Sequence, residues 1–198
     1  MNGWDQYNDS SRGFFESYTS IKSEVIFSDV MNYMPSSGDS CLDVGAGSGR
    51  DSAFLARRGC KVTAVEPSSL FRQKAIDFYN DVNINWIDDS LPHLNKVKEL
   101  RLTYDFILMS AVWMHLPEKK RLESLKSTFA LLKHNGVMIL TLRLGPAEPE
   151  RMIYKITTEE AIEKANLSGF HLKFINPIKE DGFKRGEVKW QILVLSKV

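Results

Sequence analysis

The sequence predicts an α/β fold: a doubly wound, mostly parallel sheet of seven strands with helices on both faces and a C-terminal antiparallel hairpin. Three observations support this prediction. Apolar runs of strand length alternate with segments of helical periodicity along most of the chain. The runs show little alternation between polar and apolar residues, which is typical of parallel strands covered on both faces. The last two runs are separated only by a polar loop, which is the pattern of a hairpin.

The first element is predicted to be a helix. Phe14, Tyr18, Ile21 and Val25 are spaced by four, three and four residues, which places them on one helical face. We expect this helix to extend to about Met34, where a Pro-Ser-Ser-Gly-Asp turn ends it.

The next elements alternate between strands and helices. The five expected parallel strands are residues 40–44, 61–66, 82–87, 104–110 and 137–142. The helical segments between them are residues 50–58, 69–79, 94–100 and 117–132. Thr157 and Glu160 form a capping box, which predicts a helix that ends at Gly169. Residues 170–175 and 188–195 are then expected to pair as the C-terminal hairpin.

Length and composition indicate one soluble globular domain. The chain has 198 residues, of which 43% are hydrophobic. With 26 Lys+Arg against 25 Asp+Glu, the formal charge of +1 argues against a nucleic-acid partner. No apolar run approaches the roughly 18 residues that span a bilayer, and the start of the chain does not resemble a signal peptide, so we expect a cytoplasmic protein without a membrane partner. Cys41 and Cys60 lack metal-ligand spacing and are expected to be small buried residues.

The loop after the first strand contains three glycines, Gly45, Gly47 and Gly49, and opens a helix. Such glycines let the backbone approach a ligand closely, so the sequence predicts a small-ligand site there, the alternative being a plain strand-to-helix turn. The third glycine comes one residue earlier than in the dinucleotide pattern G-x-G-x-x-G, and Arg50 stands in its place, which argues against a nicotinamide-dependent oxidoreductase. Asp43 beside the loop would repel a pyrophosphate and attract a cation such as an ammonium group.

Acidic residues follow the next two strands. Glu66 lies about 20 residues beyond the glycine loop, where a carboxylate can accept hydrogen bonds from both hydroxyls of a ribose. Asp88 and Asp89 follow the third strand, where a carboxylate can accept a hydrogen bond from an adenine amino group; we favour Asp88 and keep Asp89 open. A solvated strand end or turn is the alternative role for each of these acids. Arg50 and Asp51, directly after the glycines, are expected to be an exposed pair that opens the helix.

These motifs together resemble the class I S-adenosylmethionine-dependent methyltransferases, in particular the broad bacterial set that acts on small molecules. The resemblance rests on the glycine loop with Asp43, on the acidic residues after the second and third strands, and on residues 104–117. It implies a Rossmann-like methyltransferase fold in a single domain, 1–198. The implied parts of that domain are a helical cap segment (1–37), a cofactor-binding core (38–143), and a loop, helix and hairpin (144–198).

The resemblance implies S-adenosyl-L-methionine as the cofactor and S-adenosylhomocysteine as the product. The three glycines would surround the methionine part, Asp43 would lie near its ammonium group, Glu66 would bind the ribose, and the backbone of Ser110 would line the methionyl side. The implied cofactor-binding residues are Asp43, Gly45, Ala46, Gly47, Gly49, Glu66, Pro67, Asp88, Asp89 and Ser110.

The implied reaction moves a methyl group to an O, N or S atom of an unidentified small molecule, without a metal. The acidic ligands of metal-dependent relatives have no counterpart after the fourth and fifth strands. His115 is the candidate catalytic residue, and Tyr7, Trp113 and Arg143 are candidates for the acceptor side. Three of these residues have an alternative role that stays open: His115 as a structural contact, Trp113 as a core residue and Arg143 as a surface residue. Two other functions also stay open: a non-catalytic regulatory module that binds the same cofactor, and methylation of a protein or RNA.

Overall fold

The computed structural model describes residues 13–183 and 185–198, and one mixed sheet forms its centre. The strands are Ser40–Val44 (β1), Lys61–Val65 (β2), Ile84–Ile87 (β3), Tyr104–Met109 (β4), Leu132–Leu144 (β5), His171–Ile175 (β6), Lys179–Glu180 (β7) and Lys189–Ser196 (β8). The predicted α/β fold class is confirmed. All seven predicted strands are present, and the two-residue β7 is an additional strand that pairs with β8.

The strands are arranged along the sheet in the order β3-β2-β1-β4-β5-β8-β6. Strands β1 to β5 pair in parallel, whereas β8 is antiparallel to both β5 and β6, so the predicted hairpin forms one edge of the sheet. The chain builds one side of the sheet through β2 and β3 and then returns to build the other side from β4. This reversal makes the carboxyl ends of β1 and β4 a topological switch point, which is where open α/β sheets bind ligands.

Helices cover the sheet. The α-helices of the described residues are Phe14–Thr19 (α1), Ser23–Ile26 (α2), Arg50–Arg57 (α3), Ser69–Phe78 (α4), Asn95–Glu99 (α5), Glu118–Leu131 (α6) and Thr158–Leu167 (α7). Short 3-10 helices are formed by Ser28–Tyr33, Trp113–His115 and Pro149–Arg151. The predicted cap of α7 is confirmed, because the Thr157 side chain accepts a hydrogen bond from the Glu160 amide.

The prediction of one continuous N-terminal helix up to Met34 is wrong. This part of the chain consists of α1, α2 and a 3-10 helix, separated by turns. The hydroxyls of Ser17, Thr19 and Ser20 donate to carbonyl oxygens three or four residues earlier, and such bonds bend helices and compete with their continuation. Lys22 then adopts an extended conformation before α2 begins. The predicted apolar face is also only partly correct, because Phe15 is the buried residue of α1 and Val25 is 65% exposed.

Apolar side chains fill the space on both faces of the sheet. Consecutive residues of a strand point to opposite faces, and the core follows this rule: Leu42 and Ile107 lie in one apolar cluster, whereas their neighbours Cys41 and Phe106 lie in the other. Both cysteines are buried and free, as expected, and burial raises the pKa of the Cys41 thiol. In the described part of the chain, no helix has the length and apolar character that a membrane span requires.

Candidate functional site

A cavity of about 760 Å³ lies at the topological switch point. It begins at the carboxyl ends of β1 and β4 and continues past β5 towards β7 and β8. The residues after β1 and β2 line its inner half, and residues of the C-terminal third of the chain line its outer half. The cavity volume falls within the range of about 300 to 1,000 Å³ that is usual for small-molecule sites.

The glycine loop forms one wall of the inner half. The amides of Gly45 and Ala46 both donate to the Val65 carbonyl, at 2.8 and 2.9 Å, which ties the loop to the end of β2. All three glycines have positive φ, and a Cβ on Gly45 would lie only 2.5 Å from a Val112 methyl carbon. Gly47 faces open space, because a Cβ there would meet its nearest atom at 3.9 Å.

The third glycine has a different environment. Gly49 precedes α3 at its N-cap and does not line the cavity. A Cβ on Gly49 would lie 2.9 Å from the Ala75 Cβ and 3.0 Å from the Trp86 ring. Its lack of a side chain therefore lets α3 pack closely against its neighbours, whereas Gly45, Ala46 and Gly47 form the cavity wall.

Asp43 places a buried carboxylate beneath this loop. The residue is on β1, lines the cavity and accepts a hydrogen bond from the Ser52 hydroxyl at 2.6 Å. Burial, with a further contribution from the negative charge of Asp51, raises the pKa of Asp43 to about 7. A positive charge placed nearby would therefore stabilise the ionised form.

Glu66 places a second buried carboxylate at the end of β2. Its two carboxylate oxygens accept hydrogen bonds from the amides of Gly47 and Ser68, both at 2.8 Å. Burial nevertheless raises the pKa of Glu66 to about 7. Glu66 and the following Pro67 both line the cavity.

The two acidic residues after β3 point in different directions. Asp88 is exposed and lies 3.5 Å from the Arg72 guanidinium and 3.4 Å from the Lys96 ammonium group, outside the cavity lining. Asp89 lines the cavity, and its carboxylate accepts hydrogen bonds from the amides of Ser90 and Val97. Of the pair, Asp89 therefore faces the site, which is the opposite of the order we favoured from the sequence.

The end of β4 lines the cavity opposite the glycine loop. Ser110 lies in the lining, and the next residue, Ala111, has a φ of 56°. The Ala111 amide donates to the Thr141 hydroxyl of β5 at 2.7 Å. This bond fixes the position of the backbone after β4 relative to β5.

Arg50 and Asp51 are not the exposed pair expected from the sequence. The Arg50 guanidinium forms two hydrogen bonds of 2.8 Å with the Asp51 carboxylate, and both residues line the cavity. Arg50 also donates to the Tyr18 carbonyl at 3.0 Å, and the Ser23 hydroxyl donates to Asp51 at 2.6 Å. Burial alone would raise the pKa of Asp51, but Arg50 and the hydroxyl groups lower it. The pair therefore ties the N-terminal helices to the glycine loop.

Trp113 lies in the apolar core and does not line the cavity. Its ring is fully buried, and the Arg121 guanidinium stacks over it at 5.8 Å from the ring centre. Trp113 follows β4 as the first residue of a 3-10 helix. The structure thus favours the core position that the sequence left open.

His115 and Arg143 both line the outer half of the cavity. The His115 Nδ1 lies 3.2 Å from the Met152 carbonyl oxygen, and burial lowers the pKa of His115 to about 4, with smaller effects of Arg151 and Arg143. Arg143 is not a surface residue: it is 1% exposed, forms an ion pair with Glu148 and donates to the Pro146 carbonyl at 3.0 Å. Tyr7 lies outside the described residues.

Sequence reasoning missed most of the outer half. Tyr18 and Ile21 of the N-terminal segment line the cavity together with Tyr154, Asn176 and Trp190 from the C-terminal third. Tyr18 and Ile21 belong to the N-terminal cap segment predicted from the sequence, whereas Tyr154, Asn176 and Trp190 belong to no motif and carried no signal in the sequence. Within the described ranges, no group of three His, Cys, Asp or Glu side chains is placed to hold a metal ion.

A Rossmann-like sheet with a glycine loop and buried acids at its switch point defines a small-ligand-binding α/β protein. A family model described as a methyltransferase domain matches residues 18–170. The chain therefore belongs to this methyltransferase family, and the class expected from the sequence is confirmed.

Individual relatives agree with this assignment. An uncharacterized methyltransferase of Geobacillus sp. (strain WCH70) is 26% identical over 168 residues, which are 84% of this chain and 73% of the relative. A TehB-like SAM-dependent methyltransferase from Corynebacterium glutamicum is 19% identical, with a TM-score of 0.66 and coverage of 98% and 97% of the two chains. Magnesium protoporphyrin IX methyltransferase from Synechocystis PCC 6803, solved with bound SAM, is 16% identical, with a TM-score of 0.65 and coverage of 99% and 80%. Both solved structures share the fold of this chain.

Proposed function

We propose that the protein transfers a methyl group from S-adenosylmethionine to an O, N or S atom of a small molecule. One observation carries this proposal: a single cavity joins the buried carboxylates of Asp43 and Glu66 to an outer half that has room and polar groups for a second reactant. A concave cavity of this size supports a small acceptor over a macromolecular one. Its extension beyond the cofactor half also supports an enzyme over a module that only binds the cofactor.

The residues of the inner half fit S-adenosylmethionine. Its sulfonium and ammonium groups are positively charged, and the raised pKa values of Asp43 and Glu66 indicate carboxylates that are buried without sufficient positive charge. The open space beside Gly47 would admit the methionine part next to the backbone. In this arrangement Asp43 would face the ammonium group, Glu66 would accept hydrogen bonds from the ribose hydroxyls, and Asp89 would lie on the adenine side.

When bound, this cofactor supplies a methyl group already activated on a positively charged sulfur, so the reaction depends mainly on alignment and the exclusion of water. Alignment of two reactants can contribute about 7 to 11 kcal/mol to lowering a barrier. The backbone after β4, fixed by the hydrogen bond between Ala111 and Thr141, would hold the methyl group of the cofactor in position relative to the acceptor. The Arg50-Asp51 pair would keep α1 and α2 over the cavity and limit access of water.

His115 would orient the acceptor and would not remove its proton. A carbonyl oxygen only accepts hydrogen bonds, so the contact with the Met152 carbonyl places a proton on Nδ1 of the ring. With a pKa of about 4, the ring is neutral at pH 7 and is a weak base. Residues that touch the acceptor are therefore assigned to binding and positioning.

Label transfer from methyl-labelled S-adenosylmethionine to a library of small metabolites tests the proposed function. We expect label in at least one small-molecule fraction, and we expect Glu66→Gln to abolish most of it by weakening cofactor binding. Glu123→Gln is the matched control, because Glu123 is an exposed carboxylate that pairs with His93 outside the cavity. Tight binding of the cofactor without transfer to any fraction would instead support a regulatory module.

A further inference from the structure

The two halves of the cavity carry opposite charge. The acidic residues that line the inner half are Asp43, Asp51, Glu66 and Asp89, and the one cation among them, Arg50, is paired with Asp51. The cations that line the outer half are Lys119, Lys120, Arg143, Arg151, Lys179 and Arg185. Only two acidic residues of the described chain, Glu180 and Asp181, line that half with them. A positively charged cofactor suits the first half, and the second half has an excess of positive charge.

Two of the outer cations are neutralised by ion pairs of their own. Lys179 lies 2.6 Å from the Asp29 carboxylate, and Arg185 lies 2.7 Å from the Asp181 carboxylate. These pairs contribute little net charge to the cavity. The excess therefore comes from Lys119 and Lys120 at the start of α6, from the buried Arg143 near the end of β5 and from the half-buried Arg151 in the segment after β5.

Arg143, Arg151 and Glu148, which we call the Glu148 cluster, hold two positive charges on one negative charge. Arg143 forms an ion pair with one oxygen of the Glu148 carboxylate, and Arg151 contacts the other oxygen at 2.9 Å. The cluster thus has a net charge of +1. Arg143 Nε is buried and has no hydrogen-bond partner among the described residues. Buried N–H groups are nearly always paired, so this donor indicates that a further acceptor group belongs there.

The Glu148 cluster lies next to the position where the methyl group would be transferred. Arg143 is two residues beyond Thr141 on β5, and residues separated by two lie on the same face of a strand. Thr141 in turn is bonded to the backbone immediately after Ser110, which lines the inner half. His115, between these groups and the loop at Met152, responds to the charges of both arginines. An acceptor bound at this place would meet the cluster directly.

We infer that the acceptor carries an anionic oxygen group, a carboxylate or a phosphate, and that this group binds the Glu148 cluster through Arg143. The inference rests on the proposed function, because the cluster is assigned to the acceptor by its position on β5 beside the residues that border the cofactor half. Arginine donates up to five N–H bonds in a planar arrangement that matches such groups. Arg143 lines the cavity and its Nε–H has no partner among the described residues, so this donor would bind the anion.

Binding of a small anion and its neutral analogue tests this inference without requiring turnover. The protein is saturated with S-adenosylhomocysteine in chloride-free buffer and titrated with trifluoroacetate or trifluoroacetamide, and fluorine NMR measures each Kd. We expect the Kd of trifluoroacetate to be at least tenfold lower than that of trifluoroacetamide. Displacement by inorganic phosphate then shows which of the two anion types binds more tightly. Equal affinities for trifluoroacetate and trifluoroacetamide, together with no effect of phosphate, would overturn the inference.

Variants of the Glu148 cluster separate binding from folding. Glu148→Gln leaves two positive charges without their carboxylate, so we expect trifluoroacetate to bind at least threefold more tightly. Arg143→Gln should weaken it at least tenfold without changing the affinity for trifluoroacetamide. Arg121→Gln is the matched control, because Arg121 is an equally buried arginine, paired with Glu160 at 2.6 Å outside the cavity lining. If Arg143→Gln fails to fold, Glu148→Gln decides: unchanged anion affinity in that variant contradicts the assignment.

The label-transfer screen distinguishes failure of this inference from failure of the proposed function. Each carboxylate or phosphate in the library is matched with its neutral amide or ester. Transfer to neutral or cationic acceptors, with no preference for the anionic member of a pair, would refute the anion site and leave the proposed function intact. Anion binding at the cluster without transfer to any compound would support the anion site and contradict the proposed function.

Discussion

Cofactor binding should depend on pH because Asp43 must be ionised to attract the ammonium group, and Glu66 must be ionised to accept hydrogen bonds from both ribose hydroxyls with its two oxygens. Burial raises the pKa of each carboxyl group to about 7 in the cofactor-free protein. A bound ammonium or sulfonium group favours the ionised forms and therefore lowers both pKa values. Below pH 7, protons compete with the cofactor, so its affinity should fall as pH decreases and level off as pH rises above 7.

The magnitude follows from the ionised fraction of each group. For a pKa of about 7, that fraction is about 3% at pH 5.5 and about 76% at pH 7.5, so the affinity changes about 25-fold if one carboxylate must ionise. The change reaches about 600-fold if both must ionise independently. Each group thus contributes about 2 kcal/mol over this interval, since one pKa unit corresponds to about 1.36 kcal/mol. The upper limit of pH 7.5 keeps the cofactor's own α-amino group mostly protonated, because its pKa is about 8.

Isothermal titration calorimetry with S-adenosylhomocysteine between pH 5.5 and 7.5 measures this dependence. Repeating the titration in buffers of different ionisation enthalpy counts the protons released on binding, and we expect between one and two at pH 6. Asp43→Asn and Glu66→Gln should each remove one group from the pH slope. An affinity that does not vary with pH, with no proton release, would refute the reasoning.

Other predictions concern stability and individual site residues. Burial raises the pKa of Asp43 and Glu66 above their ordinary values, so these two acids bind more protons in the cofactor-free folded protein than in the unfolded chain between about pH 4 and 7. The lowered pKa of His115 offsets only part of this difference, so the free energy of unfolding, measured with urea, should decrease as pH rises from about 5 to 8. Glu66→Gln should weaken S-adenosylhomocysteine binding roughly 10- to 100-fold in calorimetry, since a charged hydrogen bond contributes about 1.5 to 3 kcal/mol. Gly47→Ala should strain the backbone by roughly 1 to 2 kcal/mol and reduce cofactor affinity, whereas Gly45→Ala should lower the melting temperature further because its Cβ would lie 2.5 Å from a methyl carbon. Asp89→Asn should weaken cofactor binding roughly tenfold, and Asp88→Asn should leave it within twofold; the reverse order would contradict the placement of these side chains.

The fold could be predicted from the sequence because its signals are local. The observed β1, α3 and β2 begin at the predicted residues, since each is an apolar run or a periodic segment bounded by glycine or a polar turn. Residues 13–34 differ because hydroxyl groups and an extended residue interrupt an otherwise regular apolar spacing. The spacing of apolar residues indicates which face of a helix is apolar, but it does not indicate where the backbone stops being helical.

The inner half of the site was also accessible to sequence reasoning, for a topological reason. Parallel strands end at one edge of the sheet, so residues that directly follow β1, β2 and β4 must lie near each other. The direction of a side chain is a different matter. Asp88 and Asp89 follow the same strand, and only the turn that leads to α5 determines that the second one faces the cavity. The ion pair of Arg50 with Asp51 could be predicted only by considering that an arginine beside an acidic residue, at the start of a buried helix, pairs with that residue.

The outer half was only partly accessible: His115 and Arg143 were candidates from the sequence, but most of the other lining residues meet only in the folded chain. Arg143 and Arg151 share a carboxylate contributed by the loop between them, and the remaining lining comes from segments up to Trp190 that have no common pattern. Nothing in the local sequence around Arg143 distinguishes a surface arginine from a buried one. Its guanidinium is held by the loop after β5, through the Pro146 carbonyl and the Glu148 carboxylate.

Two carboxylates buried without sufficient positive charge make the cofactor-free protein less stable than a similar chain with apolar residues at these positions would be. The raised pKa values of Asp43 and Glu66 measure this unfavourable environment, because burial disfavours the charged form of each acid. A bound cation stabilises the charged carboxylates, so part of the affinity for the cofactor comes from offsetting the free-energy cost of burying them. By linkage, cofactor at 100 times its Kd raises the free energy of unfolding by about 2.7 kcal/mol. The same reasoning applies to both halves of the cavity. The unbalanced charge of each half is electrostatically unfavourable in the empty protein, and it becomes favourable when a reactant of opposite charge is bound.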